Sequence, residues 1–170
     1  SKPSLGDFGL IGPLYAHLGR DPYPARELIA KRPKLAAWVA RMQHPAQPQG
    51  GAFLADDVVP DTLTPLFHSI FGEFWPQLLA TLAAAQEVAP SLPPGKGLPR
   101  QLKLIDITLA GQPYQLRARP YCLWMAQRLL DVFRALPHAE QQAVHAWLNT
   151  LGGGEAMQLE ITPRLKRTAL

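Results

Sequence analysis

Proline sets the terms on which this chain can fold. It supplies 18 of the 170 residues, about twice the usual share of roughly 5%. A proline fixes φ and removes a backbone donor, so it interrupts helix interiors and central strands alike. The prolines are not bunched as in a polyproline linker; they stand between apolar runs at helical spacing. The chain therefore reads as short helices separated by turns. Apolar residues make up 47% and charged residues 18%, an ordinary globular balance that excludes a disordered chain. The length points to one domain, or one with a small appendage.

Residues 4–19 carry the clearest helix signal. Ser4 suits the N-cap, and Asp7 stands three residues on, where a capping-box acid reaches back to the N-cap amide. Leu5, Phe8, Ile11, Leu14, Tyr15 and Leu18 then recur at helical spacing and predict one wide buried face. Gly9 and Gly12 interrupt it, with close helix packing as the expected reason, and Gly19 ends it. A short helix is expected at 25–31, and another at 33–43, opened by Pro33 with Leu35, Trp38, Val39 and Met42 on one stripe. His44 to Gly51 reads as a polar loop.

The longest apolar helical run spans 61–88. Leu66, Phe67, Ile70, Phe71, Phe74, Trp75, Leu78, Leu79 and Leu82 are too many for a narrow stripe, so this helix is central or at an interface. Pro76 predicts a kink or break near Glu73–Trp75. After a proline- and glycine-rich loop at 90–100 the period changes to two. Residues 102–118 read as a β-hairpin, with Ala110-Gly111-Gln112-Pro113 as the turn. A helix at 120–135 is expected to turn Leu123, Trp124, Gln127, Leu130, Val132 and Phe133 inward. A last helix from Pro137 to Leu151, turning Val144, Trp147, Leu148 and Leu151 inward, ends at Gly152-Gly153-Gly154. Met157 to Ile161 reads as an extended run. No internal repeat is visible.

Chemistry-bearing patterns are sparse. Cys122 is the only cysteine, which excludes an intrachain disulfide and cysteine-rich metal sites and fits a reducing compartment. It reads as a buried structural thiol; the alternative is a thiol activated by the helix N-terminus beside it. No Gly-x-Ser-x-Gly elbow occurs, and neither Ser69 nor Ser91 has a telling partner. His17, His44, His68, His138 and His145 are spread out, and Asp56, Asp57 and Glu73 form no spaced pair, so no metal site is expected. Gly95-Lys96-Gly97 lacks the rest of a phosphate loop, and Asp7-Phe8-Gly9 sits in a helix opening without the other kinase motifs. The net charge of +4 is mostly dispersed apart from Arg164, Lys166 and Arg167. That cluster reads as solvated and nucleic-acid binding is not expected. No run of about 18 apolar residues marks a membrane span. Tyr15, Phe67, Phe71, Tyr121 and Trp124 are the candidate lining of an apolar pocket between helices, with plain core packing as the competing reading.

The stretch Pro3-Ser4-Leu5-Gly6-Asp7-Phe8-Gly9-Leu10-Ile11-Gly12-Pro13-Leu14-Tyr15-Ala16 resembles the capping-box helix of cytosolic glutathione transferases. Arg32-Pro33-Lys34-Leu35-Ala36-Ala37-Trp38-Val39-Ala40-Arg41-Met42 is similar to the helix that follows it there. The later residues, with the hairpin and Leu123-Trp124-Met125-Ala126-Gln127-Arg128, look like an extension carried by some bacterial members. The resemblance implies a mostly α fold: a partial helical bundle of the transferase C-terminal type with one inserted β-hairpin. Residues 1–50 would hold the capping-box helix and its successor, and 51–170 the extension, packed together as one unit. In that family the glutathione site and catalytic residue lie in an N-terminal thioredoxin-like domain, and none of those residues can be placed on this chain. Only Ser4 and Asp7 carry over, and their role is structural.

Two functional expectations follow. One is the C-terminal helical part of a glutathione-transferase-like protein of the cytoplasm, forming scaffold and hydrophobic-substrate wall. Glutathione would then be bound by the parent rather than by this chain, which by itself would hold no cofactor and no metal and be inactive. Ser1 would be a processed end or a cut in a longer protein. The other is a stand-alone helical module that binds a small apolar ligand or a partner. In either case the apolar face of the first helix needs cover, from the parent or from a second copy in a homodimer.

Overall fold

The computed structural model describes residues 3–44 and 54–166 and, of Leu5 and Asp57, the backbone. Ser1, Arg167 and the expected loop at 45–51, with the expected boundary between residues 50 and 51, lie outside the described residues. The chain divides into two compact units, Ser1–Val59 and Pro60–Leu170. It is mostly helical, with one two-stranded antiparallel sheet among the described residues.

In the first unit, α1 (Leu5–Ile11) runs on into a π-helical turn, Gly12–His17. Ser4 is extended, and the capping box forms in both directions. The Asp7 amide donates to Ser4 Oγ at 3.3 Å, and the Ser4 amide and hydroxyl each donate to Asp7 Oδ2 at 2.7 Å. The other carboxylate oxygen accepts from the indole Nε1 of Trp38, at 2.9 Å, in α3 (Pro33–Gln43). One aspartate thus caps a helix and ties it to the next. Between them, α2 (Pro22–Pro24) continues as a π-helical turn, Ala25–Ile29. It starts three residues earlier than the sequence suggests, because Pro22 suits the first helical position.

Two expectations for α1 are corrected. The apolar face is not buried: Phe8 is 62% exposed, and Ile11, Leu14 and Leu18 are half-buried. In this unit α3 packs against α1, and one helix cannot cover so wide an arc. Nor does close packing account for Gly9 and Gly12, since a Cβ at either would meet open space. Gly9 instead stands four residues before Pro13, whose ring would crowd the carbonyl at that position. The amide of Leu18 reaches back five residues to the Pro13 carbonyl, at 3.0 Å.

The second unit also holds a π-helical turn, here just before its proline rather than after it. A short 3₁₀ turn (Asp61–Leu63), α4 (Thr64–Ser69), a π-helical turn (Ile70–Phe74) and α5 (Trp75–Val88) form one continuous run. The expected break at Glu73–Trp75 is a π turn, in which the Trp75 amide bonds to the Ile70 carbonyl. Pro76 again has a glycine, Gly72, four residues behind it. Widening the turn by one residue absorbs the missing donor and the ring clash without breaking the helix. α5 then buries Leu78, Thr81, Leu82, Ala84 and Ala85.

The hairpin pairs β1 (Leu104–Leu109) with β2 (Gln112–Arg117), Leu109 opposite Gln112. Its turn is only Ala110-Gly111, both with positive φ (49° and 75°), the signature of a type I′ turn. Ile105 lies opposite Leu116 and is buried, while the tip is exposed. Then come α6 (Tyr121–Arg134) and α7 (His138–Thr150). α6 buries Leu123, Gln127 and Leu130. Val132, expected inward, is 64% exposed, because it falls on the side of the helix opposite those three. Trp147 of α7, also expected inward, is 37% exposed at the rim.

Gln127 is 6% exposed and holds the C-terminal segment to α6. Its amide donates to the Leu165 carbonyl at 3.0 Å and accepts from the Leu165 amide at 2.9 Å, as a neighbouring strand would. Arg164 forks onto both carboxylate oxygens of Asp131 (2.9 and 2.6 Å), and Arg134 donates to the Leu159 carbonyl at 2.7 Å. Ile161 is buried between these ties. The segment 157–161 is therefore a strap that opens with a 3₁₀ turn, Ala156–Gln158, rather than a strand, and Arg164 of the basic cluster is ion-paired.

Two outcomes test these ties. Asp7→Ala costs about 1–2 kcal/mol. The amide and then the hydroxyl of Ser4 hold the Asp7 carboxyl below its ordinary range; burial opposes them, and the Trp38 indole adds a smaller lowering. Its stabilisation is complete above the ordinary aspartate pKa and is lost as pH falls through the lower folded value. The melting-temperature deficit of Asp7→Ala thus shrinks in acid. Gln127→Leu costs about 1–3 kcal/mol by leaving the Leu165 groups without partners, and hydrogen exchange at Leu165 accelerates.

Candidate functional site

The glycine run after α7 shapes one wall of a cleft in the second unit. Gly152 has φ +79°. Its amide bonds to Asn149, and the Gly153 amide to the Leu148 carbonyl at 2.9 Å, the paired bonds of a Schellman stop. Gly153 lies under the Phe71 ring so closely that a Cβ would come within 2.3 Å of it. A Cβ on Gly154 would fall 1.6 Å from the Asn149 side-chain oxygen. All three glycines thus answer to backbone geometry or close approach.

The loop they form faces α5 across a cleft of about 330 Å³. Trp75 and Leu79 line one wall; Asn149, Gly152 to Gly154, Glu155 and Ala156 line the other. Asn149 is steadied by His145 Nδ1 at 3.3 Å, and the other ring nitrogen meets the Gln158 amide at 2.8 Å. The walls offer an indole, an aliphatic side chain, one amide and one carboxylate. That chemistry suits holding a small flat ligand with a polar edge; the lining has no hydroxyl, thiol or amine to act as a nucleophile.

A second cleft of about 210 Å³ lies where the π turn meets the hairpin, lined by Ser69, Ile70, Glu73, Phe74, Gln77 and Leu109. Glu73 Oε1 accepts the Ala110 amide at 3.0 Å and so pins the hairpin turn to the helix.

The five aromatics singled out from the sequence line neither cleft. Tyr15 is in the first unit and 38% exposed, with Arg20 lying 6.0 Å from its ring centroid. Phe67 meets Trp147 edge-on at 5.1 Å. Phe71 backs the cleft wall through Gly153. Tyr121 and Trp124 form a tilted pair at 5.7 Å on α6, with Tyr121 69% exposed. The cleft residues were missed because their signal, Gly152-Gly153-Gly154, reads only as a helix stop.

The Cys122 thiol donates to the Arg119 carbonyl at 3.0 Å, and burial pushes its pKa up despite hydrogen bonds that lower it. The activated-thiol alternative is therefore not supported. Among the described residues no three His, Cys, Asp or Glu side chains gather as metal ligands, and no helix is long and apolar enough to cross a membrane. No family model, no curated protein and no solved structure matches the chain.

One outcome tests the glycine geometry. Gly153→Ala drives a methyl into the Phe71 ring and costs about 1–3 kcal/mol by overpacking, read as a drop in melting temperature. Phe71→Ala in the same background recovers part of that loss.

Proposed function

We propose that this chain is the C-terminal helical portion of a glutathione-transferase-like protein, acting as scaffold and hydrophobic-substrate wall. The parent would activate the thiol of glutathione and use it to conjugate or reduce small electrophiles, with the glutathione site outside this chain. The supporting observation is Asp7, whose carboxylate closes the capping box at Ser4 and also accepts from Trp38. The two segments that resemble the family are thereby bonded to each other. A second reading, a stand-alone ligand-binding module, draws on the Trp75–Leu79 cleft.

The test uses the product of the natural gene. Its intact mass is measured, then its retention on immobilised glutathione and its rate of conjugating 1-chloro-2,4-dinitrobenzene. The proposal expects a product heavier than 18.7 kDa that is retained and active, while the 170 residues alone are neither. A natural product that fails to bind glutathione overturns the proposal, as does glutathione binding by the 170 residues alone.

A further inference from the structure

α6 carries apolar residues on two sides, separated along one flank by Arg128, Asp131 and Arg134, and only one of the two sides is buried. Leu123, Gln127 and Leu130 face the core. On the opposite side Tyr121, Met125, Leu129 and Val132 are 69, 43, 58 and 64% exposed. Their spacing places the four within an arc of about 80° and along about 16 Å of helix. A helix apolar on both sides belongs at an interface, and four large exposed side chains in one row form a patch rather than scattered surface residues.

The charges along the row identify what fits it. Arg128 borders the row on one side, its guanidinium held 5.0 Å over the Trp124 ring. The acid on that border, Asp131, is engaged by both arms of Arg164. The opposite border carries Cys122 and Phe133 and no charge. On α6 itself the row thus has one positive edge, Arg128, and the acid of that edge is already paired. An antiparallel second copy centred on the row would bring the two copies of Arg128 to within about 5 Å along the axis, while Asp131, the acid of that border, is already held by Arg164. Like charges so placed oppose self-pairing.

We propose that the Tyr121–Val132 face of α6 docks an amphipathic helix of another protein, one that lays an apolar stripe on this row and carries acidic residues along the border facing Arg128. Apolar burial supplies the attraction, and the Arg128 edge selects the orientation and sign of the partner.

The probes are two synthetic amphipathic helical peptides of about three heptads with the same leucine stripe, one bordered by glutamate and one by lysine. Fluorescence anisotropy against the full chain is expected to show saturable binding of the glutamate peptide, with the lysine peptide about tenfold weaker or worse. Leu129→Gln and Val132→Ser, at exposed positions that leave the helical circular dichroism unchanged, weaken the glutamate peptide about tenfold. Arg128→Glu reverses the order of the two peptides. Equal binding of both peptides, binding of neither, or indifference to these variants overturns the proposal. So does a concentration-dependent dimer that Leu129→Gln dissolves, which would give the face to a second copy. Co-sedimentation with phosphatidylglycerol vesicles that Leu129→Gln abolishes would give it to a bilayer.

Discussion

A helix can pass a proline only by giving up one backbone bond and making room for the ring. Much of the second unit depends on how Pro76 is passed. The wide turn at Ile70–Phe74 keeps the long run continuous, so Trp75 and Leu79 arrive on the wall that faces the loop after α7. The same turn carries Glu73, which holds the hairpin at Ala110, and Phe71, which presses on Gly153. One proline thereby bears on the helix, the hairpin and the cleft together.

The C-terminal segment illustrates a second economy. A chain end without regular structure offers backbone donors and acceptors that must find partners when they approach a core. Here a buried glutamine supplies both, standing in for a strand at Leu165. The ion pair of Arg164 with Asp131 is exposed and adds little energy of its own. Its contribution is to fix direction, so that Ile161 enters the core. Buried apolar area and one satisfied amide outweigh the surface charges.

Local chemistry was legible in the sequence; mutual placement was not. The capping box, the helix opened by Pro33 and the hairpin each announce themselves within a few residues, because the deciding interaction is itself local. Val132 and Trp147 were misplaced because periodicity identifies an apolar arc without saying which part of it meets a neighbour. Phe8 was misplaced for the same reason. The cleft was hidden more deeply: its walls come from Trp75 and Leu79 on one side and residues 149–156 on the other, and no short-range pattern links them. Gln127 was expected to face inward, but nothing local says that its partner is Leu165.

The Gly72–Pro76 spacing has a consequence for chain length. A π turn holds one residue more than the α turn it replaces, while the segments on either side keep nearly the same facing. The helix from Thr64 to Val88 therefore contains a spare residue, stored where a glycine and a proline make the wider turn easy to adopt. Counting at 3.6 residues per turn straight through this stretch puts everything beyond it out of phase by one position. The offset adds to the breadth of the apolar pattern in 61–88, and α5 adds the rest, since it packs against both β1 and α6 and buries Leu78, Thr81, Leu82, Ala84 and Ala85.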